Sequence, residues 1–157
     1  MKWRTAVKWL LFGVLAITVV ALYEIVPNFS QRLPDPTKVR RMTAKLFPHE
    51  PKNLREVPEF EVQAEDTPII LHSLEPKYID FMDTTQWVVH GVLNIETVDG
   101  SEIQVYLFWT DEETSAFAVG SRRRQCYYRG GNDLAIDKAV RNAYAKAKVA
   151  AKKGSQE

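Results

Sequence analysis

Two alternations of apolar and polar side chains dominate the second half of the chain. Trp87, Val89, Gly91, Leu93 and Ile95 alternate with Gln86, Val88, His90, Val92, Asn94 and Glu96. Ile103, Val105, Leu107 and Trp109 then alternate with Glu102, Gln104, Tyr106 and Phe108. A period of two belongs to a strand with one buried face, so both runs predict strands. Val98-Asp99-Gly100 predicts the turn between them, and parity selects its length. A two-residue Asp-Gly loop pairs Val98 with Ser101 and throws the apolar sets onto opposite faces. A three-residue loop with Gly100 in the left-handed region pairs Thr97 with Ser101, Ile95 with Ile103, Leu93 with Val105 and Val89 with Trp109. Only the second register buries one face, so it is the predicted one. Gly91 then stands opposite Leu107, where a missing side chain leaves room for a strand bend or a packed helix.

The same parity continues through Phe117 and Val119 in a third predicted strand, Ser115 to about Tyr128, which Gly120 bends or breaks. Gly130 and Gly131 end it. Asn132 or Asp133 suits the N-cap of a last helix running to about Lys152, with Ile136, Ala139, Val140, Ala143 and Ala147 on one stripe and Tyr144 beside it. Before the hairpin, Ile69, Ile70, Leu71, Leu74, Tyr78, Ile79, Phe81 and Met82 are expected to add core side chains from a short strand and a helical turn. The predicted fold of residues 68–152 is α+β, an antiparallel β-meander of about three to four strands packed by a C-terminal helix.

The first half reads differently. Leu10 to Val26 is a predominantly apolar run with Glu24 as its only charge, preceded by Lys2, Arg4 and Lys8, with Trp3, Trp9 and Tyr23 at its ends. Its length approaches that of a membrane span, so residues 1–27 are expected to form a transmembrane anchor. A cleaved signal peptide is the rival reading, but the apolar run continues past Ala21 through Leu22, Tyr23, Ile25 and Val26. The bias of basic residues toward the N-terminus predicts a single-pass inner (cell) membrane protein with a cytoplasmic N-terminus and an exported C-terminal domain. All eight prolines fall between positions 27 and 76. Residues 28–67 are therefore expected to be an extended connector, interrupted by one short helix over 36–47. In that helix Val39, Met42, Leu46 and Phe47 face one side and Lys38, Arg40, Arg41 and Lys45 the other. Residues 153–157 are expected to form a flexible tail.

Composition changes this picture little, and charge rather more. The net charge of +1 conceals a segment, 77–119, with one Lys against eight acids, and a segment, 120–157, with ten bases against three acids. Such asymmetry serves either docking or mutual neutralisation. A lone cysteine, Cys126, excludes an internal disulfide and any multi-cysteine site. His49 and Glu50 lack further ligands at a suitable spacing, His72 and His90 do not specify zinc, and Asp80 and Asp83 read as turn caps. Phosphate-binding glycine loops, nucleophile elbows and dinucleotide fingerprints are missing from the sequence. Arg122-Arg123-Arg124 leads a basic, aromatic stretch suited first to pairing with the acidic 77–119 segment and second to docking on an acidic partner or lipid, and export would remove nucleic acid from its reach.

The expectation is therefore a non-enzymatic, single-pass membrane-anchored accessory or assembly subunit, without cofactor or metal, held in the lipid bilayer and docked on a larger membrane protein complex. Trp3, Trp9, Val39, Met42, Phe47, Arg122, Arg123 and Arg124 are the candidate partner contacts. The alternative is a tethered small-ligand binding or catalytic module with a pocket between meander and C-terminal helix. An enclosed polar cavity containing His90, Tyr106 or Tyr144 would mark it.

Overall fold

The alternation of residues 88–109 builds the hairpin at the centre of a larger sheet. A computed structural model of the chain describes residues 13–15, 18, 32–49, 53–75, 77–79, 88–110, 115–121 and 124–154. Its strands are β1 (Val39–Leu46), β2 (Val57–Glu61), β3 (Lys77–Ile79), β4 (Val88–Thr97), β5 (Glu102–Trp109), β6 (Ala116–Ser121) and β7 (Arg124–Gly130). Two helices, α1 (Thr67–His72) and α2 (Asp133–Gly154), accompany them. All seven strands form one antiparallel sheet in the order β2-β1-β4-β5-β6-β7-β3.

The β4–β5 turn has the predicted three-residue form. Thr97 donates its N–H to Ser101 O at 3.0 Å, Gly100 donates to Thr97 O at 2.9 Å, and Gly100 takes φ 81°. Ile95 faces Ile103, Leu93 faces Val105 and Gly91 faces Leu107 as expected. One step further the register changes. Val88 meets Trp109 and Val89 meets Phe108, because His90 is an extra residue in β4.

Three expectations need correction. The sheet has seven strands, not a meander of three or four, since the predicted third strand divides into β6, which runs through Gly120 to Ser121, and β7, which begins at Arg124. The connector supplies two more strands. Residues 36–47 hold only a 3-10 turn, Pro36–Lys38, capped by Asp35, before entering β1. There Met42, Ala44 and Leu46 turn inward and Arg41, Thr43 and Lys45 outward, a period of two that pairing with β4 enforces. Pro58 is accommodated because β2 is an edge strand, where a missing N–H costs no ladder bond. Finally, the transmembrane helix expected over Leu10–Val26 is not supported. Among the described residues no helix is long and apolar enough to cross a membrane. In that stretch only residues 13–15 and 18 are described, and they are helical. The remainder of Leu10–Val26 lies outside the described residues. The 22-residue α2 is long enough but carries charge along its length.

One face of the sheet makes the core. Met42, Ala44 and Leu46 of β1, Leu93 and Ile95 of β4, Val105 and Leu107 of β5, Phe117 and Val119 of β6, and Cys126 and Tyr128 of β7 are all buried. Ile70 and Leu71 of α1, with Leu74, join Ile136, Val140 and Ala143 of α2 above them. The predicted stripe thus faces the sheet, and Asn132 caps α2 by accepting from the N–H groups of Leu134 (3.0 Å) and Ala135 (3.2 Å). Lys146 on α2 donates to Asp66 just before α1, tying the two helices together.

Candidate functional site

The irregularity in β4 creates the first of two polar sites. A β-bulge inserts one residue into a strand and re-aims its side chain. Here the inserted residue is His90, which turns toward the helix-covered side and is 3% exposed. Its carbonyl accepts from the N–H of Phe47 at 2.7 Å, which pins the bulge to the end of β1. Gly91 makes the close approach possible: a Cβ there would stand 2.6 Å from the Lys45 carbonyl oxygen and 2.7 Å from Leu46 Cδ2.

Helix α2 meets this bulge with Asp137 and Arg141, one turn apart on the same side. Oδ1 of Asp137 lies 3.2 Å from Nε2 of His90, and Oδ2 accepts from Nε of Arg141 at 2.7 Å. Burial pushes the Asp137 carboxyl up, but the contacts with His90 and Arg141 outweigh it and hold the group below the ordinary carboxylate value. Trp109 packs between two imidazoles, with ring centroids 4.6 Å from His90 and 5.0 Å from His49. One turn back, Asp133 accepts from the N–H of Thr110 at 3.2 Å. Several polar atoms of this centre remain unfilled. Nδ1 of His49, both ring nitrogens of His90, Oδ1 of Asp137 and Nη2 of Arg141 are buried and have no hydrogen-bond partner among the described residues, the 3.2 Å approach of Oδ1 to Nε2 being an ion-pair contact. Such atoms are rare in folded proteins and mark a strained, catalytic or ligand-receiving place.

The second site lies on the opposite face of the sheet, where the outward positions carry hydrogen-bonding side chains. Tyr106 Oη donates to Gln104 Oε1 at 2.7 Å, and Gln104 Nε2 donates to Asn94 Oδ1 at 2.9 Å. Asn94 Nδ2 donates to Thr43 Oγ1 at 3.3 Å, and Thr43 Oγ1 donates to Glu59 Oε1 at 2.8 Å. Every donor points the same way, from β5 through β4 and β1 to the carboxylate on β2, so each bond polarises the next. Gln104, Asn94, Thr43 and Glu59 line a cleft of about 450 Å³ together with Arg41, Glu96, Glu102 and Gly120. The Tyr–Gln latch recurs on β7, where Tyr127 Oη donates to Gln125 Oε1 at 3.0 Å. Phe108 and Tyr127 bring their rings to 6.2 Å across β6. The outward β6 positions between them are Ala116 and Ala118, which leave space for those rings.

The residues expected to contact a partner are scattered by this fold. Met42 is 1% exposed in the core and offers no surface. Val39 packs against the edge of the core, and Phe47 lies under the Lys45 ammonium, 5.3 Å from its ring centre. Arg124 opens β7, whereas Trp3, Trp9, Arg122 and Arg123 lie outside the described residues, as do Asp80 and Asp83. The three polar groups expected to share one cavity are also separated. His90 is on the covered side, Tyr106 on the opposite face, and Tyr144 packs on Phe60 with ring centres 5.2 Å apart. His72 sits at the end of α1, 3.8 Å from Glu75. Among the described residues no group of three acidic, histidine or cysteine side chains is placed to hold a metal ion.

Sequence reading missed Asp137 and Arg141. A signal was present: Asp137 falls between Ile136 and Val140 on the apolar stripe, where a carboxylate must find a partner. Compared with known proteins, the chain matches no family model, no curated protein and no solved structure.

Proposed function

We propose that the domain is a non-enzymatic recognition module, an accessory subunit that docks a partner protein on the face of its sheet opposite the helices. The observation supporting this reading is the one-way ladder Tyr106–Gln104–Asn94–Thr43–Glu59 beside a cleft of about 450 Å³. Side chains already fixed by one another lose little conformational freedom when a partner arrives, so more of the contact energy appears as affinity. Aromatic rings and amides side by side are also the residue types on which interfaces concentrate their energy and hydrogen bonds. Catalysis would need a nucleophile or acid–base pair aimed into the cleft. The ladder instead uses its hydroxyls internally.

Native mass measurement of the tagged full chain, with identification of co-purifying proteins, tests the reading. A reproducible partner is expected with the wild-type chain. Gln104→Arg and Asn94→Arg, which fill the cleft, are expected to weaken it at least tenfold, about 1.4 kcal/mol. Undiminished association of both folded variants, or a wild-type chain that stays alone, overturns the proposal. A second reading, a small-ligand module between sheet and α2, is favoured by the unfilled nitrogens around His90.

A further inference from the structure

The cleft on the open face of the sheet lies where one strand carries no side chain. Pairing of Val105 with Val119 puts Gly120 of β6 beside Gln104, and a space of about 450 Å³ borders the amide row there. Two residues along from the Asn94–Gln104 pair, Glu96 of β4 stands directly opposite Glu102 of β5. Like charges at directly opposite positions of an antiparallel pair repel. The fold answers only one of the two. Glu96 Oε1 accepts from Arg40 Nη1 at 3.1 Å, whereas Glu102 is exposed and meets no base among the described residues. The rest of the border has the same sign. Arg41 is held by Glu61 Oε2 at 2.9 Å, and Glu59 ends the donor ladder as its final acceptor. Glu59, Glu61, Glu96 and Glu102 thus surround the two guanidiniums of Arg40 and Arg41, which leaves the cleft negative. An anion would be repelled, and a neutral group would leave Glu102 unanswered. Among the described residues no three acidic, histidine or cysteine side chains are placed to hold a metal ion, so the complementary group is an organic cation. A guanidinium suits it better than an ammonium. It offers a carboxylate two parallel N–H groups, gives up its water more readily, and belongs to the residue type on which interfaces concentrate their energy.

We propose that this cleft receives the guanidinium of an arginine side chain on the docked partner protein, which donates to the carboxylate of Glu102. No proton is transferred and no covalent bond is made. The inference rests on the docking reading and deepens it by naming the chemistry that the partner must present. It also gives Gln104→Arg and Asn94→Arg a second way to act, since each would place a guanidinium of the chain's own in the space meant for the partner's.

The test is nitrogen-15 NMR of the side-chain amides of Asn94 and Gln104 in the full chain. The probes are N-acetyl-arginine methylamide, N-acetyl-lysine methylamide and sodium chloride, each titrated at constant ionic strength. Saturable shifts of both amides with the arginine probe are expected, at least tenfold tighter than with the lysine probe. Glu102→Gln, a change at an exposed position, is expected to weaken the arginine probe at least tenfold. Absence of saturation, a response matched by sodium chloride, or undiminished affinity in Glu102→Gln overturns the proposal. Equal affinity for the lysine probe overturns the choice of a guanidinium. Saturation that emerges only after Arg122 and Arg123 are both replaced by alanine would mean that the chain's own arginines fill the cleft, and overturns the partner as their source. Failure here is distinguishable from failure of docking. A chain that captures its partner but ignores the arginine probe keeps the docking reading and loses this inference. A chain that captures no partner yet binds the probe loses the docking reading, and with it the partner protein as the source of the cation.

Discussion

At the scale of single residues, Asp137 has the most consequential position. Its carboxylate sits under α2 with one basic partner on its own helix and one imidazole on the sheet, so it holds helix and bulge together through charge. Because its folded-state pKa lies below the ordinary value, the stabilisation is fully present above the unfolded carboxylate range. It is lost as pH falls through the folded value. Asp137→Asn keeps the shape and removes the charge. Urea unfolding at pH 7 is expected to show it about 1–3 kcal/mol less stable than the wild type, the cost of weakening a buried polar pair. The gap should narrow steadily as both are titrated from pH 5 toward pH 2. An equal gap across that range would mean that the charge contributes nothing and that the packing of the side chain does.

At the scale of elements, two glycines with positive φ separate backbone strain from collision. Gly100 in the β4–β5 turn has φ 81° and open space around it. Gly131, between β7 and α2, has φ 72°, and a Cβ there would run into the Ser73 carbonyl oxygen at the end of α1. Gly100→Ala should cost about 1 kcal/mol, the price of the left-handed conformation alone. Gly131→Ala should cost at least about 1 kcal/mol more, since α1 must also move. Equal losses in urea titration would show that α1 yields freely. The same elements explain what could be read from sequence. The β4–β5 hairpin was legible because ten alternating positions and a glycine turn agree on one register. The helix α2 was legible because stripe and cap agree. Strand β1 was not. Val39, Met42 and Leu46 fit a helical side as well as Met42, Ala44 and Leu46 fit a strand face, and pairing with β4 decides between them. The bulge at His90 was hidden for a related reason: parity arguments assume that no residue is inserted, and the insertion is fixed by Phe47 and Gly91 packing against β1. The candidate centre depends on that insertion, so it could not be assembled before the fold was known.

At the scale of the whole molecule, the topology binds the ends of the sheet to each other. β2 and β3 are consecutive along the chain yet form its opposite edges, and the segment joining them carries α1 across the covered face. Neither edge can leave without disturbing α1, and α1 is tied to α2 through Asp66 and Lys146. This interlocking predicts one cooperative unit, in which even β7 at the far side opens only when the whole domain does. Cys126 reports on that opening because its thiol is in the core of β7 and 3% exposed. Under native conditions its labelling by a disulfide reagent, divided by the rate for the unfolded chain, is expected to return the free energy of unfolding measured in urea to within about 1 kcal/mol. Asp137→Asn, though located on α2, is then expected to speed labelling by about tenfold for every 1.4 kcal/mol it costs. Labelling that outruns global unfolding a hundredfold, or that ignores the Asp137 substitution, would mean that β7 and β3 open by themselves. The sheet would then have a separable edge next to the aromatic pair Phe108 and Tyr127, and the partner-docking face would include a mobile border in place of a rigid one.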